Sequence, residues 1–163
     1  MAIDTGIGIS ITQTSATQQA PLGQTVLKPA GTNGEGEQVW IYVQALEALV
    51  VGSVVVRDAS AAPAIANTLT VTKSITGMPA DAVVGVAQHA ISLNYYGWVL
   101  QKGQGQVLTD GAGVIIGGLG IAPGAAVAGT AEGSAPTANA FGYALEDSAV
   151  GTLCKVVLNC PSS

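Results

Sequence analysis

Charged and titratable residues are scarce in this sequence. Only 9% of its 163 residues are charged, against about 25% in ordinary soluble domains, and His89 is the one histidine. A catalytic triad or a histidine-rich metal site therefore has at most one candidate imidazole. The five basic residues are scattered, so no patch that could follow a phosphate backbone is present. We expect no enzymatic activity, no metal, no cofactor and no nucleic-acid partner.

Cysteines are also few, and they do not form a disulfide framework. If the strand predicted around them is extended, Cys154 and Cys160 lie about 20 Å apart, whereas a disulfide needs Cα atoms within about 7 Å. Free thiols are therefore predicted, as in a reducing cytoplasm. Cys154 with His89 is the one conceivable thiol–imidazole pair. An apolar strand usually keeps a thiol inert, and a histidine just after a strand is usually solvated, so a hydrolase is a minor alternative.

Helical stripes and membrane segments are lacking as well. The apolar stretch 111–129 is interrupted by many glycines, alanines and Pro123, which does not fit a spanning helix. Asp4 comes before any basic residue, so the N-terminal residues do not read as a signal sequence. No membrane partner is expected. A surface so poor in charge favours a chain partly covered by other subunits, although Ser, Thr, Gln, Asn and Gly could also hydrate it.

What the sequence does contain is β-strand patterning. Val39, Ile41 and Val43 alternate with polar or aromatic residues, which predicts a half-buried strand. The continuous apolar run 49–56 predicts a strand covered on both faces, and 125–128 could form a further short strand. Asp110-Gly111 predicts a hairpin turn. With 22 glycines and seven prolines, these patterns predict an all-β fold, a small β-sandwich or β-barrel of jelly-roll-like form.

The first 36 residues differ from the rest. They are rich in Thr, Gln and Gly with few apolar residues, so they cannot bury enough surface to fold alone. Residues 1–36 are therefore predicted to form an extended arm, and residues 37–163 the β-sandwich or barrel core. Such an arm either binds a partner or folds back along its own domain, and the composition leaves both open.

One cassette occurs twice in the core. Val83–Ala87 and Tyr95–Gly103 read as two strands around a polar connection, and Ala140–Asp147 with Gly151–Leu158 repeats the arrangement. Each copy has a glycine close to the start of its second strand. A repeated strand pair of this kind is typical of an architectural element rather than of a catalytic one.

At this cassette the sequence resembles the small capsid decoration, or cement, proteins of tailed bacteriophages. The matching residues are Val83–Ala87, as Val-x-Gly-Val-Ala, and Tyr96–Lys102, with Gly52–Val55 as a weaker match upstream. The resemblance extends over roughly residues 38–160. It implies a non-enzymatic virion protein, made in the host cytoplasm, that binds the capsid exterior. It also implies a homotrimer, or alternatively a homodimer, that clamps neighbouring major capsid proteins, with arms that contact the shell.

The resemblance and the aromatic placement together predict an interface. Trp and Tyr are enriched at protein interfaces, and apolar residues of the arm are candidates to contact a shell. The predicted interface residues are Ile3, Ile9, Ile11, Pro21, Leu22, Trp40, Tyr42, Tyr95 and Tyr96. The main alternative is a ligand- or carbohydrate-binding β-module of a virion fibre or surface protein, in which exposed aromatic rings stack on the ligand.

Overall fold

A computed structural model describes residues 8–30, 36–58, 69–75, 78–111, 115–134 and 140–161. The described residues form ten strands and one short 3-10 turn at Ala80–Ala82. The strands are β1 (Thr25–Lys28), β2 (Gln38–Ala45), β3 (Val54–Arg57), β4 (Thr70–Lys73), β5 (Val83–Val86), β6 (Tyr96–Leu108), β7 (Gly120–Pro123), β8 (Ala131–Ser134), β9 (Gly142–Ala144) and β10 (Leu153–Asn159). The predicted all-β class is confirmed.

Five of these strands close into a barrel. The order is β2-β4-β3-β5-β6, and β6 pairs again with β2 to complete the ring. Each of the five strands directs side chains into the ring. One buried cluster contains Ile41 and Val43 of β2, Val55 of β3, Val71 of β4, Val84 of β5 and Val99 of β6. Closure leaves no open edge within the ring. Of the two predicted forms, the structure has the barrel, extended by further strands.

The remaining strands form a second unit that we call the C-terminal sheet. It consists of the second half of β6 followed by β10, β9, β7 and β8. Strand β6 pairs with β2 through residues 96–102 and with β10 through residues 102–108, so it is shared by both units. Gly103 lies at this change of partner with a φ of 105°, a conformation that favours glycine. A bridge between Thr109 and Ala131 brings β8 back to the end of β6.

A second core lies between the barrel wall and the C-terminal sheet. It joins outward-facing barrel residues such as Trp98 and Leu100 to Phe141, Val156 and Leu158 of the sheet region. This packing explains why the half-buried strand prediction for β2 was wrong. Its alternate residues face the barrel interior on one side and this second core on the other, so both faces are covered.

Three further predictions from local sequence patterns, two of strands and one of a hairpin turn, were wrong. The run 49–56 is not one strand: Gly52, with a φ of 84°, makes a turn before β3. Asp110 is buried and follows a strand that pairs with β10, not with a hairpin partner just after it. Residues 125–128 form bends and a turn between β7 and β8. The repeated cassette is confirmed as strand pairs β5–β6 and β9–β10, both antiparallel.

The described part of the arm folds back onto the barrel. Strand β1 pairs with β2, and Ser15 forms a bridge with Tyr96 on the β6 side. Ile9 and Ile11 are buried in the second core. Residues 8–30 therefore belong to the same packed unit as the barrel, which was one of the two alternatives for this segment.

Candidate functional site

The predicted interface residues of the arm differ in how far they are exposed to solvent. Ile9 and Ile11 are buried within the chain, so they present no surface to a partner, contrary to the interface prediction. Leu22 is half-buried and packs against both cores, whereas Pro21 is exposed. Ile3 lies outside the described residues.

Trp40 and Tyr42 are core residues, and their prediction as interface residues is corrected here. Only 5% of Trp40 and 1% of Tyr42 are exposed, because the arm and the C-terminal sheet cover this face of β2. Tyr42 lies 4.9 Å from Trp98 between ring centroids and stacks with Tyr96 at 6.3 Å. Its hydroxyl accepts a hydrogen bond from the Gln19 backbone N–H at 3.1 Å, which fixes the arm to the barrel.

Tyr95 does reach the surface, on a short rigid tip between β5 and β6. Asn94 adopts a φ of 64°, which a short polar side chain tolerates, and its N–H donates to the Ala45 carbonyl at 2.8 Å. The Ala45 N–H donates in turn to the Tyr95 carbonyl at 2.9 Å. This tip presents Leu93 and Tyr95, which are 55% and 37% exposed.

The turn that carries Val50 lies beside this tip, because Leu49 bridges Ile91 in an antiparallel pair. Val50 is exposed as well. We call Val50, Leu93 and Tyr95 the barrel tip. Apolar side chains on loops that backbone hydrogen bonds hold in place suit a contact surface, since little conformational entropy is lost on binding.

The candidate catalytic residues His89 and Cys154 do not form a hydrogen-bonded pair. Both ring nitrogens of His89 are buried and have no hydrogen-bond partner among the described residues, so His89 makes no hydrogen bond to Cys154. Burial also lowers the pKa of His89. The prediction that His89 is a solvated loop histidine was therefore wrong. Cys154 and Cys160 are both buried free thiols, as predicted. Burial, followed by the nearby Glu146 carboxylate, raises the pKa of Cys154, which disfavours the nucleophilic thiolate.

Other common sites are missing from the part of the chain that the structure describes. No group of three or more His, Cys, Asp or Glu residues there is arranged to hold a metal ion. Nor do the same ranges include a helix of the length and apolarity needed to cross a membrane.

The outer face of the C-terminal sheet is a surface that the sequence reasoning missed. Tyr143 and Leu145 alternate with the buried Ala144, and they are 49% and 45% exposed. Val157 of β10 pairs with Tyr143 on one side and with Gln104 of β6 on the other. Directly paired residues share a face, so Tyr143, Val157 and Gln104 form a row across three strands. The alternation of small and large residues in 142–145 was the available signal.

A polar groove lies next to this row. It has a volume of about 250 Å³ and is lined by Gln38, Gln88, Gln104, Gly105, Gln106 and Lys155. We call it the glutamine groove. Gln88 is held by two hydrogen bonds to one residue: its Oε1 accepts from the Gln106 N–H at 2.9 Å, and its Nε2 donates to the Gln106 carbonyl at 3.0 Å. Gln38 Nε2 donates to the Gln104 carbonyl at 2.6 Å.

Comparison with known proteins finds similarity at the level of the fold. No protein-family model and no curated protein sequence matches the chain. Among solved structures, the chain is similar to the head fiber gp8.5 N base of bacteriophage phi29, with a TM-score of 0.52 and 16% identical residues. The similarity covers 74% of this chain and 93% of that chain, so nearly the whole phage domain has a counterpart here. At this identity the likeness establishes a shared fold.

Proposed function

We propose that this chain is a non-enzymatic structural protein of a phage virion. The observation that carries the proposal is the fold shared with a head fiber domain over nearly all of that domain. The resemblance of the repeated cassette to capsid decoration proteins points to the same part of a virion. A scarcity of charge and a lack of assembled catalytic groups among the described residues fit a role in assembly rather than in chemistry.

We further propose that the chain binds the outer surface of the capsid and stabilises contacts between major capsid proteins. A protein that binds only the assembled shell stabilises it by mass action. Of the predicted interface residues that the structure describes, Pro21 and Tyr95 are exposed, and Tyr95 lies beside the apolar side chains of Leu93 and Val50 at the barrel tip. This tip is the proposed capsid contact, and Ile3 in the first seven residues is a second candidate.

Capsid co-sedimentation tests this function. Capsids from a phage mutant that lacks the chain are mixed with the purified protein and pelleted. The wild-type protein should pellet with the capsids, and the double variant Leu93→Asp/Tyr95→Asp should remain in the supernatant. Tyr143→Ala is the matched control, an exposed tyrosine on the opposite unit. A wild-type protein that stays in the supernatant would refute capsid binding, and a double variant that pellets normally would refute the tip as the contact.

Deletion of residues 1–7 tests the arm separately. This deletion removes Ile3 but leaves Ile9 and Ile11 in the core, so the barrel remains covered. Reduced co-sedimentation of this variant would support a capsid contact by the first residues. Binding equal to that of the full chain would assign the contact to the tip alone.

We also propose that the chain acts as a homotrimer, because cyclic symmetry lets one small chain cover apolar surface on several copies. Light scattering coupled to size-exclusion chromatography should give a mass about three times the 16.1 kDa of one chain, in solution or after release from capsids. A dimer mass would favour the alternative, and a monomer under both conditions would contradict self-association.

A further inference from the structure

The glutamine groove presents hydrogen-bonding groups that are suited to hydroxyls. A glutamine side chain offers both an acceptor oxygen and two donor hydrogens on one planar group, whereas a charged side chain offers only one kind. Four glutamines surround the groove, in a chain where charged residues are rare. A polyhydroxylated ligand needs donors and acceptors in comparable numbers, and the groove supplies both.

Part of this polar lining is fixed in advance. Gln88 and Gln38 are held by the backbone bonds to β6 described above. Gln38 is only 7% exposed, and among the described residues its buried Oε1 has no hydrogen-bond partner, a costly state that an additional donor would relieve. Within the described ranges, the side-chain amides of Gln104 and Gln106 form no hydrogen bond of their own. They are half-buried and available to a ligand.

The charge at the groove points to a neutral ligand. Lys155 is the one cation among the lining residues, and its Nζ lies 4.0 Å from Glu146 Oε2. Glu146 Oε1 also accepts a hydrogen bond from the Lys155 backbone N–H at 3.0 Å, which keeps the carboxylate beside that cation. The two charges offset each other. An anionic ligand would meet the carboxylate as well as the ammonium group.

An apolar platform continues from the groove. Tyr143 and Val157 lie in the same row as Gln104, and neighbouring strands are about 4.8 Å apart, so Tyr143 is about 10 Å from Gln104. An exposed aromatic ring offers an apolar face to the C–H groups of a sugar, next to amides that bind its hydroxyls. The distance suits a short oligosaccharide better than a single sugar.

We propose that the glutamine groove, with the Tyr143 platform, binds a neutral oligosaccharide. This goes beyond the proposed capsid function, because the barrel tip and the glutamine groove are built from different residues. Gln104 and Gln106 would bind sugar hydroxyls, Gln38 Oε1 would accept from a hydroxyl or a bridging water, and Tyr143 would stack on a sugar ring.

Solution NMR on the full ¹⁵N-labelled chain tests the proposal directly. The probes are maltotriose, cellotriose and chitotriose, each at millimolar concentration, with sialyllactose as an acidic counterpart. At least one neutral trisaccharide should shift the side-chain NH₂ signals of Gln104 and Gln106 and the backbone signal of Tyr143. The signals of Gln13 and Tyr95 serve as controls, since one is an exposed glutamine and the other an exposed tyrosine elsewhere.

Two variants give the second readout. Gln104→Ala/Gln106→Ala should weaken binding at least about tenfold, which corresponds to about 1.4 kcal/mol, while Gln13→Ala should leave it unchanged. The amide spectrum of each variant verifies its fold. The proposal is overturned if no neutral trisaccharide shifts these signals, if only the acidic one does, or if the double variant binds as well as the wild type. Capsid co-sedimentation of the double variant should be normal, so the two proposals fail independently.

Discussion

The barrel and the C-terminal sheet are built from similar strands but are covered in different ways. The barrel wall around β2 and the first half of β6 is buried on both faces, by the barrel interior and by the second core. The C-terminal sheet is buried on one face only, and its other face exposes Tyr143 and Leu145 together with the glutamine groove.

This difference leaves the two units with different kinds of exposed surface. At β2 and the first half of β6 the wall is covered on both sides, so this part of the barrel can make contacts mainly through the adjoining loops, such as the barrel tip. A sheet with one free face can present side chains in register over several strands. The shared strand β6 couples the units, because Trp98 belongs to the barrel wall and Gln104 to the free face.

The largest expected effect comes from a residue of the doubly covered wall. Trp98 is fully buried, so Trp98→Ala should lower the free energy of unfolding by about 3–5 kcal/mol through lost burial and a residual cavity. Tyr143→Ala, on the free face, should change it by no more than about 0.5 kcal/mol. Urea denaturation followed by circular dichroism measures both. Equal losses for the two aromatic residues would abolish the distinction between the units.

The cover supplied by the arm gives the next largest effect. Ile11 is buried in the second core, and Ile11→Ala should cost about 2 kcal/mol or more. Pro21→Ala is the matched control in the same segment, because Pro21 is exposed and should have a small effect. A small loss at Ile11 would show that the arm is not an integral part of the barrel cover.

The reactivity of the two thiols tests whether solvent and reagents are excluded from the inner face of the C-terminal sheet. Burial raises the pKa of Cys160 to about 12, and the pKa of Cys154 is raised as well. Neither thiol should react with Ellman's reagent at pH 8 in the folded protein, and both should react in denaturant. Rapid reaction of Cys160 in the folded state would contradict a closed inner face.

The same pKa values predict how stability depends on alkaline pH. The unfolded thiols ionise around their ordinary value of 9.0, whereas folded Cys160 keeps its proton up to about 12. The stabilising contribution is therefore complete below pH 9 and is lost as the pH rises above it. Denaturation midpoints of the wild type and Cys160→Ala, compared at pH 8 and pH 10, measure this, and the decline should be smaller in the variant.

The smallest effect concerns His89, on the connection between β5 and β6. Burial lowers its pKa, so the unfolded chain binds a proton more readily than the folded one. Stability should therefore fall as the pH drops below about 6.5, where the unfolded histidine becomes charged. The difference in unfolding free energy between pH 7.5 and pH 5 should shrink in His89→Asn. An unchanged difference would mean that carboxylates alone account for the acid sensitivity.

Alternation and repetition along the sequence were predicted well, whereas the run 49–56, the Asp110-Gly111 turn and the strand at 125–128 were not. Alternation placed a strand at 38–45, and the repeated cassette located β5–β6 and β9–β10. Free cysteines followed from their spacing along one strand. Patterns that depend on what covers a face were predicted poorly. Trp40 and Tyr42 looked like one exposed face of a strand, but the C-terminal sheet and the arm lie over that face.

The candidate site was beyond the reach of sequence reasoning for a related reason. Gln38 and Gln88 are far in the chain from the neighbouring pair Gln104 and Gln106, and only the pairing of β6 with its neighbours gathers all four around one groove. Tyr143 joins the row of Gln104 through β10, which lies between them in the sheet. The local sequence places Gln104 and Gln106 on one face of a strand, but it does not indicate Gln38, Gln88 or Tyr143.

The sequence alone determined the class of the protein: an all-β chain poor in charge, with one histidine, two free thiols and a repeated strand pair. These properties follow from composition and from periodicity over a few residues. Only the tertiary structure decided which faces are free, namely the barrel tip and the outer side of the C-terminal sheet. Exposure depends on long-range strand pairing and on the packing of distant segments, because a strand's two faces are equivalent until another layer covers one of them.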